Sequence, residues 1–289
     1  MNSRHRDGRF AELRFGTIVL SERSRCGDHR RRHRYDALNG PTVTTCRFHS
    51  ILTWHHLKGI GLAFASALAQ TGAKKVYILG RRKEALDKAV QSIGAGQDVV
   101  VPIVCDVTNP FTVTTAVQQI EKDTGYVDVL VNNAGIGGPD HKAMYNVDSI
   151  KDLQEIMLND WPGWASTFAI NTHSVVLVSG QFLHLLDKAN ERRGWTSGKL
   201  EPGGAVRARK DVDGVDKADV RSSQIITVAS IAAFNRFVTH GLSYGSSKAA
   251  ATYLGKTLSS VLSPWGIRSN VICPGGESIL NFIFLLGNA

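Results

Sequence analysis

From residue 59 to residue 275 the chain alternates between short, continuous apolar runs and longer stretches in which apolar residues return every three or four positions. A return at that spacing marks a helix with one buried face, whereas a continuous run marks a strand buried on both faces. Helices are predicted at 61–72, where Leu62, Ala65, Leu68 and Ala69 share a face and Gly72 ends the element, and at 83–93, 112–122, 164–190 and 244–262. Strands are predicted at 74–80 (KKVYILG), 98–107 (DVVVPIVCDV), 127–135 (VDVLVNNAG), 224–230 (QIITVAS) and 268–275 (RSNVICPG). Such alternation implies a parallel sheet with helices on both faces. The expected fold is α/β, a doubly wound parallel sheet in three layers, α/β/α, forming a single domain.

Two stretches break the pattern. Residues 191–223 are rich in glycine and charge and lack apolar periodicity, which predicts a mobile surface insertion. Residues 1–41 read as a basic, disordered extension, because residues 1–40 carry ten arginines against five acids, +5 of the net +9. The domain itself is then expected over 42–289, with TVTTCRFHSIL (42–52) as its first strand.

Composition narrows the partners. A chain of 289 residues with 43% hydrophobic content can bury one large core. No apolar run approaches the roughly 18–20 residues of a membrane span, so no membrane partner is expected. The arginine-rich tail has no interleaved aromatics and no nucleic-acid motif, so no nucleic acid is expected either. The four cysteines (Cys26, Cys46, Cys105, Cys273) form no CxxC pair, which reads as reduced thiols and a cytoplasmic protein. His29 and His33 stand four apart, but the three arginines between them repel a cation, and no metal site is expected.

The candidate chemistry lies at the strand ends and on one helix. GIG (59–61) opens the first helix, NNAG (132–135) ends one strand, Ser230 ends another, and YGSSK (244–248) sets Tyr244 and Lys248 on one helix face. Each motif alone is weak; their order in the chain is specific. Over about 59–275 the sequence resembles the short-chain dehydrogenase/reductase family, of the classical type. That resemblance implies a Rossmann-type fold and an NADP- or NAD-dependent oxidoreductase. Its substrate would be a small molecule bearing a carbonyl or secondary alcohol.

By the same resemblance Tyr244 is the general acid/base, and Lys248 holds the nicotinamide ribose. An ammonium one helical turn from a tyrosine also stabilises its phenolate. Ser230 would orient the substrate oxygen, and Asn171, in FAINTHSV, would hold a water of the proton relay. Gly59, Ile60 and Gly61 would bring the backbone to the pyrophosphate at a helix N-terminus. Asp106 and Val107 would meet the adenine, Asn133, Ala134 and Gly135 the adenosine ribose, and Pro274 and Gly275 the nicotinamide. Arg81 and Arg82 follow Gly80 where an NAD enzyme usually carries an acid, and arginines suit the 2′-phosphate of NADP. Blander readings compete: a capping serine at 230, a turn or capping asparagine at 171, a surface tyrosine and lysine, and solvated arginines at a helix start. A homodimer or homotetramer packed through the helices at 164–190 and 244–262 is expected from the resemblance alone.

The pattern fails at both ends. The family turn reads T-G-x-x-x-G-x-G, whereas Trp54 and His55 stand where its threonine and first glycine belong. A histidine side chain would crowd the cofactor there. Beyond Gly275 only GESILNFIFLLGNA follows Pro274, shorter than the family's substrate-binding segment and edge strand. The ends 1–58 and 276–289 are therefore expected to be atypical, the second truncated. The sequence leaves two functions open: a working NADP-dependent oxidoreductase, or a catalytically inactive nucleotide-binding remnant or interaction protein.

Overall fold

The computed structural model describes residues 17–22, 59–95, 98–201, 203 and 206–275. Each apolar run in the repeating part forms a strand: β2 (Ala73–Gly80), β3 (Val100–Val104), β4 (Val129–Asn132), β5 (Gln224–Val228) and β6 (Arg268–Ile272). Together with β1 (Thr17–Glu22) they make a six-stranded sheet in the order β3-β2-β1-β4-β5-β6. The helices between them are α1 (Ile60–Gln70), α2 (Lys83–Ile93), α3 (Pro110–Asp123), α4 (Ile150–Leu158), α5 (Trp161–Phe168), α6 (Ser174–Arg192) and α7 (Leu242–Leu262).

Both faces of β2, β4 and β5 are largely buried, which is why these strands carry no regular polar alternation, whereas the edge strand β6 alternates exposed and half-buried positions. Along β2, Val76 and Ile78 join a cluster with Leu62 and Ala65 of α1 and Leu86 and Ala89 of α2. The intervening Tyr77 and Leu79 point the other way, into a cluster with Val113 and Ile120 of α3 and Phe182 and Leu186 of α6. The three-layer, doubly wound α/β fold follows from this two-sided burial.

The centre of the sheet departs from expectation. β2–β3 and β4–β5–β6 pair in parallel, but β1 pairs antiparallel with both β2 and β4. Thr17 faces Leu79 and Asn132, at the ends of those strands, while Glu22 faces Ala73 at the start of β2. The sheet is therefore mixed, with one reversed strand at its middle. That strand, TIVLSE, lies within the stretch that composition assigns to an extension. The alternative first strand, 42–52, lies outside the described residues, as do Trp54 and His55.

Past the end of α6 the described part of the segment 191–223 is irregular, and arginines tie it to the body. The Arg207 guanidinium donates to the carbonyls of Thr196, Gly198 and Pro264, and that of Arg209 to Arg193, Asp216 and Lys217. At its root, Arg193 forms a buried ion pair of 2.6 Å with Asp128. These bonds satisfy backbone carbonyls that a loose loop would leave to water.

Candidate active site

In a doubly wound sheet, ligands bind beyond the C-terminal ends of the parallel strands. All four residues expected to act in catalysis gather near that edge, on elements that follow β4. Asn171 sits in a single π-helical turn, Ala169–His173, between α5 and α6. Such turns frequently occur at functional sites. Its side chain is buried and fully engaged: Oδ1 accepts from Ile136 N–H at 2.8 Å, and Nδ2 donates to Ile136 O at 3.0 Å and Ser247 Oγ at 2.9 Å. Asn171 thus clamps the turn after β4 against α7, which is more than a local turn or cap.

Lys248 lies one helical turn after Tyr244 on α7, 4% exposed, with Nζ donating to Val228 O at 2.9 Å. Burial pushes its ammonium down to about 8, and the nearby Cys273 opposes this only in part. A Cβ on Gly135 would stand 3.2 Å from Lys248 Nζ and 3.3 Å from Asn171 Oδ1. A side chain at Gly135 would therefore press on both groups, and Gly135, Asn171 and Lys248 converge on one spot. Tyr244 is half-buried in the first turn of α7, with the His240 ring edge-on at 5.6 Å. Ser230 ends the strand region after β5 and caps the short 3₁₀ turn Ile231–Ala233, its Oγ accepting from Ala232 N–H at 3.2 Å. Capping uses an acceptor lone pair; the hydroxyl proton remains able to donate.

The segment carrying Pro274 and Gly275 runs beside Ser230: Pro274 O accepts from Ile231 N–H at 3.0 Å, and the Ile231 side chain covers Gly275. On the cofactor side, Gly59 is the N-cap of α1 with φ of 113°, a region that favours glycine, and no side chain caps this helix start. Ile60 and the buried Gly61 form its first turn, so the helix offers backbone N–H groups to an anion. Arg81 and Arg82 are exposed at the end of β2 and the N-cap of α2. Asp106 lies past the end of β3 in a turn. Burial raises its carboxyl, but bonds from Thr108 N–H (2.9 Å) and Oγ1 (2.7 Å), with the Arg81 charge, outweigh this and leave it lowered. Val107 is buried in the core cluster of α3 and α6, so its side chain serves packing. Asn133 and Ala134 are half-buried at the end of β4. The described residues thus fit a dinucleotide: a glycine cradle at Gly135, a free helix start at Gly59 and a buried amine at Lys248.

Sequence reasoning missed His141 and His240. His141 is buried after β4, and its Nδ1 lies 3.3 Å from Leu242 N and 3.2 Å from Pro139 O. The first contact makes the imidazole a cap for α7, whose own N-cap, Gly241, offers no side chain. His141 N–H also donates to His240 O at 3.1 Å. A helix start lacking Ser, Thr, Asp or Asn was the available signal.

The geometry agrees with the comparisons. The chain matches the short chain dehydrogenase family over residues 56–194 and 215–278. It belongs to that family, whose members are nicotinamide-dependent oxidoreductases. It is 37% identical to the short-chain dehydrogenase/reductase VdtF of Byssochlamys spectabilis, over 75% of this chain and 69% of VdtF. To PhomF of Diaporthe leptostromiformis, another short-chain dehydrogenase/reductase, it is 35% identical, over 75% of this chain and 66% of PhomF. Among solved structures it is similar to the NADP complex of RhlG from Pseudomonas aeruginosa, with TM-score 0.55 and 22% identity, over 79% of this chain and 72% of RhlG. That last likeness concerns the fold.

Proposed function

We propose that the chain is an NADP-dependent reductase or dehydrogenase acting on a carbonyl or secondary alcohol of a small metabolite, with Tyr244 as general acid/base. The observation that carries this reading is the convergence of Lys248, Gly135 and Asn171, with Tyr244 one helical turn before Lys248 on α7. When bound, the cofactor supplies or takes up the hydride. The Ser230 hydroxyl donates to the substrate oxygen and orients it, and Tyr244 delivers the proton to that oxygen. The Lys248 ammonium stabilises the phenolate left behind and donates to the nicotinamide ribose. Asn171, its side chain occupied, holds the 136 backbone and α7 in register, so that these groups face one another. Gly59–Gly61 take the pyrophosphate, and Arg81 and Arg82 favour the 2′-phosphate of NADP over the bare hydroxyl of NAD.

A second reading is supported by the reversed β1. In a dinucleotide fold the first strand feeds the glycine turn directly, whereas here Glu22 ends at the opposite edge of the sheet from Gly59. A protein that keeps the catalytic face but binds the cofactor poorly, or only a partner, would have this layout. NADPH fluorescence separates the two: enhanced, blue-shifted emission with oxidation on adding a carbonyl substrate supports the enzyme, and no change at millimolar NADPH supports the silent protein. We place the protein in the cytoplasm, in keeping with the free thiols of Cys105 and Cys273. Among the described residues no helix is long and apolar enough to cross a membrane. A homodimer or homotetramer through α6 and α7 is proposed, and a purely monomeric species by light scattering counts against it.

A further inference from the structure

We infer that the loop joining Ser230 to Tyr244 forms a subsite for an aryl ring of the substrate, so that the carbonyl acted on belongs to an aromatic or fused-ring compound. This rests on the oxidoreductase reading and names its substrate class. The two ends of the loop fix its place. It begins at Ser230, and near its far end the His240 ring lies edge-on to Tyr244 at 5.6 Å and packs over Gly137. Whatever holds its oxygen between Ser230 and Tyr244 must therefore lie along this loop.

The loop exposes apolar side chains alongside Asn235, Arg236, Thr239 and His240. Ile231 is 45% exposed, Phe234 65% and Phe237 76%. From the segment after β4, Tyr145, 59% exposed, reaches the same loop, its hydroxyl accepting from Val238 N–H at 2.9 Å. That bond sets the tyrosine ring beside the backbone next to Phe237. A second bond, His141 N–H to His240 O at 3.1 Å, joins the same two segments, so the walls are held together without a ligand. Three rings and a branched aliphatic side chain are exposed on this loop and the segment bonded to it, and an exposed apolar patch of that kind marks a binding site. Asn235, Arg236 and Thr239 of the same loop are exposed as well and suit polar substituents, whereas the area of Ile231, Phe234, Phe237 and the Tyr145 ring suits an apolar ring. A flat ring there finds stacked and edge-on partners.

The test compares 2-tetralone, a bicyclic ketone with a fused benzene ring, with butane-2,3-dione on the NADPH-loaded protein. In Phe234→Ala/Phe237→Ala, the kcat/KM ratio of tetralone over dione is expected to fall about tenfold or more, the loss expected when ring contacts worth a kcal/mol or so are removed. Phe234→Tyr and Phe237→Trp, which keep a ring, are expected to retain the ratio. A ratio unchanged in the double alanine variant overturns the subsite. Binding of 2-naphthol, followed by quenching of protein fluorescence, distinguishes the two layers of the proposal. Binding that weakens about tenfold in the double variant, in a protein that turns over neither ketone, supports the aryl subsite and counts against the oxidoreductase reading. No binding of 2-naphthol to the unmodified protein overturns the subsite whatever the turnover. Both rings are exposed, so their truncation leaves the core intact.

Discussion

Lys248 is where the site's chemistry opposes the fold. It is buried, and its ammonium is pushed from 10.5 down to about 8. In the unfolded chain the amine keeps its ordinary value. Between pH 8 and 10.5 the unfolded chain therefore holds a proton that the folded protein has released, so stability rises with pH across this window. Below about pH 8 the folded protein carries the full penalty of a buried charge, and the gap from 10.5 corresponds to about 3 kcal/mol. Lys248→Met keeps the apolar stem and removes the charge. It also takes the Nζ donor from Val228 O, which costs about 1–3 kcal/mol. At pH 7 these effects nearly cancel, so a single stability value decides nothing. The pH dependence decides. The stability of the unmodified protein minus that of the variant is expected to grow by about 2 kcal/mol from pH 7 to pH 10. Urea unfolding of the cofactor-free proteins at matched ionic strength measures it. A difference that stays flat refutes the view that Lys248 is held charged in a desolvated place.

Other perturbations follow from the same geometry. Tyr244→Phe is expected to lower turnover about 10²–10⁴-fold while NADPH still binds, and retained turnover in a stopped assay would reject the assignment. Arg81→Asp sets a carboxylate where the 2′-phosphate is proposed to lie, so titrations are expected to shift preference from NADP toward NAD; unchanged relative affinities would make Arg81 an ordinary surface charge. His141→Ala removes the acceptor at the start of α7 and is expected to cost about 1 kcal/mol, or roughly 2–4 °C in Tm. His141→Asn, which can present a carbonyl near the same point, is expected to recover part of that loss in a thermal scan.

The sheet and its helices were legible wherever periodicity ran long. β2, β5, α2 and α7 fall within two or three residues of their expected bounds, because two-sided burial and amphipathic spacing leave little choice of element. β3 is shorter than 98–107 because Asp106 bonds to Thr108 and turns the chain. The start of α5 was obscured by Trp161-Pro162-Gly163, which reads as a loop, although proline suits a first helical turn and Asp160 caps it through Gly163 N–H at 3.0 Å. β1 was hidden by averaging: Ile18, Val19 and Leu20 are a short apolar run inside an arginine-rich stretch, and nothing in a strand's own residues sets its direction. The site was legible as residue types, not as contacts. The clamp between Asn171 and Ile136 spans 35 residues, and the cap from His141 to Leu242 spans 101, so only the folded chain brings them together.

The two halves of the proposed site rest on different foundations. Among the described residues, Asn171, Ser230, Tyr244 and Lys248 are held by contacts within residues 135–275, such as the Ile136 clamp, the Val228 carbonyl, the Ser247 hydroxyl and the Pro274 carbonyl. That half depends on the parallel strands β4, β5 and β6, which have the order and direction that dinucleotide folds need. The phosphate half begins at Gly59, beside a β1 that runs the wrong way to deliver a glycine turn to it. A defect confined to that half weakens ground-state binding of the cofactor and leaves the proton transfer proposed for Tyr244 intact. In kinetic terms it raises KM for NADPH while kcat at saturation is preserved, the signature of lost uniform binding. Loss of the Tyr244 half would do the reverse, lowering kcat at any NADPH concentration. The two constants, measured on the unmodified protein, therefore report separately on the reversed strand and on the tyrosine–lysine face.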